Sequence, residues 1–96
     1  MPTMRITYSR ISSDVAWQWD ESSVSNAIDV EETFCKNNYS MTIDPKVVVS
    51  DLEQYQDYHF PTTTDFHEYI SHYDDPSYSA PVPAKAGVTL TVSFPG

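Results

Sequence analysis

Glycine is nearly missing from this chain: among 96 residues only Gly87 and Gly96 occur. A backbone that must approach a phosphate or turn sharply uses glycine. No Walker loop, dinucleotide fingerprint or nucleophile elbow can therefore be written, which excludes nucleotide-dependent enzymology. Cysteine is scarcer still. Cys35 stands alone, so there is no intramolecular disulfide and no multi-thiolate zinc site. Positive charge is short as well: five Lys and Arg face fourteen Asp and Glu, for a net charge of −9. That balance repels nucleic acid and anionic membrane and attracts basic partners. No apolar run reaches the length of a bilayer span, and MPTMRITYS has no signal-peptide core. The expectation is a cytoplasmic protein with neither membrane nor direct nucleic-acid contact. Residues 1–96 have room for one domain and one modest core.

What is present falls into short periodic segments. Met4, Ile6 and Tyr8 alternate with Arg5, Thr7 and Ser9, the period of a half-buried strand. Ser12-Ser13-Asp14 is turn chemistry. Val15, Trp17 and Trp19 then alternate again, so residues 3–19 read as a β-hairpin with both tryptophans on one face. Val24, Ala27, Ile28, Phe34 and Cys35 form a helical stripe over Ser22–Lys36, broken only by Glu31. Asn37-Asn38 is the expected stop, and Cys35 is expected to be a small buried apolar residue. Tyr39, Met41 and Ile43 suggest a third strand, bent at Pro45 and extended by Val47–Val49.

The stretch Ser50–Asp75 holds seven of the fourteen acids, all three histidines and four of the seven tyrosines. Ser50 and Glu53 have capping-box spacing, so a short helix with Leu52, Tyr55 and His59 on one face is expected before Pro61. Thr64 or Asp65 would cap a second helix carrying Phe66, Tyr69, Ile70 and Tyr73 at i, i+3, i+4 and i+7. The two helices, joined by PTTT, would pack as an αα-hairpin with Leu52, Phe66, Tyr69 and Ile70 in the core. Residues 74–86 read as a proline-rich loop, and Gly87–Phe94 as a strand that pairs with the N-terminal hairpin. The order ββαβααβ implies an α+β domain, with an antiparallel or mixed four-stranded sheet and helices on one face.

Three chemistries compete for this stretch. His67, Glu68 and His72 spell H-E-x-x-x-H, one residue longer than the zincin motif, and i, i+5 turns the second histidine about 140° away on a helix. One helix cannot close that site, although His59, His67 and Asp74 could converge in the fold. No metal, cofactor or catalytic residue is assigned. Glu68 and His72 are spaced for an ordinary i, i+4 ion pair. The remaining constellation is the acids themselves. Glu53 and Asp57 would share one helix turn; Asp65 and Glu68 would lie opposite the second apolar stripe, with Asp74 and Asp75 beyond it. Tyr58, Tyr73 and Tyr78 interleave them and can stack on arginine. Helical turns set carboxylates about 5–6 Å apart, the same order as phosphates along a strand. No Lys or Arg interrupts the chain between Lys46 and Lys85, whereas a surface built only for solubility mixes both signs.

In size and composition the chain resembles small acidic phage and mobile-element proteins that inhibit host defence, including anti-CRISPR and anti-restriction inhibitors. The likeness is compositional and carries no residue pattern over. With the residues themselves, it implies a non-enzymatic inhibitor that uses residues 51–78 to block the basic surface of a nucleic-acid-binding protein. Two alternatives stand beside it. One is an assembly module using an aromatic patch around Trp17 and Trp19. The other is a small hydrolase or metal enzyme built on the His/Asp/Glu cluster.

Overall fold

Alternation in β1 (Thr3–Arg10) is the organising feature of the fold, because it leaves Met4, Ile6 and Tyr8 each 3% exposed on one side. The computed structural model describes residues 2–74, 82 and 84–95. After β1 come a single 3₁₀ turn (Gln18–Asp20), α1 (Ser22–Tyr39), β2 (Thr42–Ile43), β3 (Val47–Ser50), β4 (Glu53–His59), α2 (Thr63–Asp74) and β5 (Val88–Ser93). The domain is α+β, and its sheet has five antiparallel strands rather than four. β1 lies between β4 and β5, while β2 and β3 both pair with the far side of β4.

The C-terminal strand behaves as its pattern predicts, pairing antiparallel with β1 from Arg5↔Ser93 to Arg10↔Val88. It follows a turn at Gly87, whose φ of 84° lies in the left-handed region. A Cβ there would sit 3.3 Å from both Ile11 and Val15 side chains, so this glycine is required. The helix over residues 22–36 also forms, but it runs on to Tyr39. Asn38 does not stop it, because its side chain donates to the Phe34 carbonyl at 2.8 Å. Ser40 takes the left-handed position instead, at φ 53°.

Two local expectations are overturned. Residues 15–19 form no second hairpin strand; β1 takes β4 and β5 as its partners. Asp20 reaches back to accept the Trp17 N–H at 3.1 Å and closes the 3₁₀ turn. Trp17 and Trp19 then stack with their ring centroids 5.2 Å apart and planes 8° apart. The helix expected over residues 50–60 is β4, so the αα-hairpin does not exist. Ser50 does bond its downstream backbone, accepting the Leu52 N–H at 3.2 Å, but the bond closes the β3–β4 turn. That hydrogen bond suits a helix cap and a tight turn alike. Here the decision is made by long-range pairing, since β4 has neighbours on both edges. Leu52 consequently sits at a turn, 42% exposed, and not in the core.

Helix α2 forms as predicted, though its cap is Thr62. The Thr62 hydroxyl accepts the Asp65 N–H at 3.1 Å and donates to the Asp65 carboxylate at 2.8 Å. Tyr69 is 3% exposed, and Phe66 and Ile70 pack against the buried cluster. Both helices lie on the face of Met4, Ile6, Tyr8 and Tyr58, where Cys35 and Tyr69 join one core. At its centre Phe60 is 0% exposed, with the rings of Phe66 and Tyr69 each 5.3 Å away. The expected loop at 74–86 lies largely outside the described residues.

Candidate functional site

The acids expected to form one surface are divided by the sheet. Glu53 and Asp57 alternate with Gln56 and Tyr58 along β4, so they point to the face away from the helices. There Asp57 accepts two hydrogen bonds from Arg5, at 2.7 and 3.0 Å. Those bonds hold the Asp57 carboxyl below its usual range, against a smaller opposing effect of burial. Arg5 also lies 4.1 Å from the centre of the Tyr55 ring. Tyr58 is 9% exposed and belongs to the core, where burial drives its phenol far above the usual range. It is not available as a contact residue, which corrects the sequence expectation.

Helix α2 carries the other half, on the opposite side of the molecule. Glu68 and Asp74 are exposed, Tyr73 is partly exposed, and Asp65 is held at the helix start by Thr62. Asp75 and Tyr78 lie outside the described residues. α1 packs beside α2 and adds Asp29, Glu31 and Glu32 to this layer, residues that the sequence reading left out. Their signal was present in the composition of α1, whose only Lys or Arg is Lys36; α2 has none.

Three of the other bases, Arg5, Arg10 and Lys46, are tied to the fold. Arg10 lies 4.6 Å from the Trp17 ring centre and donates to the carbonyls of Asp51 and Val15, at 2.6 and 2.8 Å. Lys46 lies 4.6 Å from the Trp19 ring centre. Such cation–π contacts hold the charge at an aromatic face. Trp17 is 6% exposed and Trp19 partly buried, so the tryptophan pair offers these bases a platform and leaves little ring for a partner.

The three histidines separate. His67 is exposed on α2. His59, on β4, has Nε2 2.7 Å from the Asp44 carboxylate and Nδ1 3.0 Å from the Thr3 hydroxyl. His72 reaches across to α1, with Nε2 3.0 Å from Glu31 Oε1, in place of the expected pair with Glu68. Glu31 Oε1 also accepts the Cys35 thiol at 3.5 Å. Burial, reinforced by the Glu31 charge, pushes that thiol up to about 12. Two groups of donor atoms thus converge among the described residues, Glu31/Cys35/His72 and Asp44/Asp57/His59, each within 4.8 Å.

No described helix is long and apolar enough to cross a membrane. No family model matches the chain, and no curated protein or solved structure matches it.

Proposed function

We propose that this protein is a non-enzymatic acidic binding protein that occupies a basic surface of a partner protein, with the helical layer as its contact. The supporting observation is the disposition of charge. Arg5, Arg10 and Lys46 each lie over an aromatic ring of the fold. Asp29, Glu68 and Asp74 are exposed on helices whose only Lys or Arg is Lys36. The helical layer therefore presents acids with little positive charge among them, and a field of one sign steers an oppositely charged partner and selects against others.

The contact differs from the stretch expected from sequence. Glu53, Asp57 and Tyr58 leave it, α2 keeps Asp65, Glu68, Tyr73 and Asp74, and α1 adds Asp29. The partner class is a nucleic-acid-binding protein, whose groove is built to take regularly spaced negative charge. Occupying that groove makes the chain an inhibitor by charge mimicry, in line with its compositional likeness to anti-defence proteins.

Affinity capture from lysate at low and high salt, read by mass spectrometry, supplies the partner. Association kinetics with that partner then test the surface. The triple variant Asp65→Asn/Glu68→Gln/Asp74→Asn is expected to associate about tenfold or more slowly at low salt and to lose much of the salt dependence. An unchanged association rate in that variant, or wild-type binding indifferent to salt, would sink the reading.

A further inference from the structure

We propose that Glu31, Cys35 and His72 form a site for a divalent metal ion of the zinc class, held between α1 and α2. Glu31 and Cys35 are one turn apart on α1, and His72 comes from α2. Their donor atoms all lie within 4.8 Å of one another. A carboxylate oxygen, a thiolate sulfur and an imidazole nitrogen are the three donor kinds zinc takes from proteins.

Two of the three donor separations already suit a tetrahedral ion. Bonds of about 2.3 Å to sulfur and about 2.0 Å to oxygen and nitrogen put S···O near ~3.5 Å and N···O near ~3.3 Å. The observed separations are 3.5 Å between Cys35 Sγ and Glu31 Oε1 and 3.0 Å between His72 Nε2 and the same oxygen. Those two separations need change by only a few tenths of an ångström to take an ion, and the third, Cys35 Sγ to His72 Nε2, is within 4.8 Å.

There is space beside two of the three ligands. Glu31 and Cys35 line a cavity of about 40 Å³ that is also bordered by Glu32 and Tyr73. A water needs roughly 10–15 Å³ measured this way, so a fourth ligand can approach from the side of Glu31 and Cys35. Three protein ligands and one water is the arrangement of an open zinc site. Glu31 is moreover the one break in the apolar stripe of α1, and only 25% of its side chain is exposed. A carboxylate placed where packing favours an apolar residue needs strong compensation. A bound cation supplies it.

The second cluster lacks these properties. Asp57 is already held through both oxygens by Arg5, and His59 Nδ1 meets the Thr3 hydroxyl. An ion there would have to displace a guanidinium, and the set contains no sulfur. The thiolate of the first cluster also selects zinc, cobalt or copper over magnesium and calcium. On binding, the S–H bond of Cys35 breaks and its proton passes to solvent as the metal–sulfur bond forms. The ion then ties the second half of α1 to the end of α2. This site is independent of the charge-mimicry reading.

The test is cobalt(II) titrated into the reduced, chelator-treated full chain. The expected result is one cobalt per chain, a thiolate-to-cobalt charge-transfer band, and the intense visible bands of tetrahedral cobalt, all bleached by equimolar zinc. In His72→Gln the affinity should fall by more than about tenfold, since even loss of an outer-shell partner costs that much. In His59→Gln, which removes the imidazole of the second cluster, the spectrum should be unchanged. Because Cys35 is buried, Cys35→Ser can unfold the chain, so the wild-type spectrum carries the decision on sulfur. A wild-type cobalt complex with no charge-transfer band overturns the proposal. So does unchanged affinity in a folded His72→Gln.

Discussion

The two faces of β4 hold the same strand by opposite means. Inward, Gln56, Tyr58 and the following Phe60 are all buried, and none carries a charge at neutral pH. Even the polar Gln56 is used up locally, donating to the Asp44 carbonyl at 2.9 Å and accepting from the Tyr58 hydroxyl at 3.4 Å. Outward, Asp57 and His59 reach sideways to Arg5, Asp44 and Thr3, so that charge and hydrogen bonds do the pairing. The inner face depends on its groups staying neutral. The outer face depends on Asp57 staying ionised. One strand therefore has two failure modes, at opposite ends of the pH scale.

The largest effect comes from emptying the inner face. Phe60→Ala should destabilise the domain by about 3–5 kcal/mol, the range for a buried aromatic whose cavity cannot fully collapse. Against a total stability of roughly 5–15 kcal/mol, that puts the variant near the edge of folding. Urea unfolding followed by tryptophan fluorescence measures it. A loss under about 1 kcal/mol would mean that α2 does not pack on Phe60 as described.

Why β4 escapes a sequence reading follows from these same residues. Its inner face places Gln54 and Gln56 where apolar side chains would have announced a strand, and Ser50 with Glu53 imitates a helix start. Tyr55, on the outer face, completes a false helical stripe with Leu52 and His59. β1, α2 and β5 were legible because their apolar residues keep a single period, and α1 because only Glu31 interrupts its stripe. The division of the acids was not legible, since it depends on β4 being a strand with sides. Glu31 and Cys35 could be paired from i, i+4 spacing alone. His72 could not, because docking α2 on α1 joins residues 41 apart in sequence.

A middle-sized effect separates the two faces by alkali. Burial raises the phenols of Tyr8 and Tyr58 above their usual value of 10.0. A raised folded value means that the stability is fully present below the unfolded pKa and is lost as pH rises past it. One unit above that pKa, near pH 11, each such phenol should have lost about 1.4 kcal/mol of stabilisation. Tyr58→Phe removes one of the two. Its unfolding midpoint should fall less between pH 9 and pH 11 than that of the wild type, and parallel curves would show that the Tyr58 hydroxyl meets solvent.

The smallest effect lies on the outer face and at acid pH. Arg5 holds the Asp57 carboxyl below its usual range, so the pair contributes fully above the unfolded aspartate pKa of about 3.9. That contribution disappears as pH falls through the depressed folded value. Asp57→Asn keeps the shape of the side chain and removes the charge, and as a partly exposed ion pair it should cost far less than Phe60→Ala. The sign of its pH dependence is the sharper observable. Wild type and Asp57→Asn should differ by a constant amount above about pH 5 and converge below about pH 4. If the gap instead widens in acid, Arg5 is not the partner that holds Asp57, and the outer face of β4 loses the ion pair that distinguishes it from the inner one.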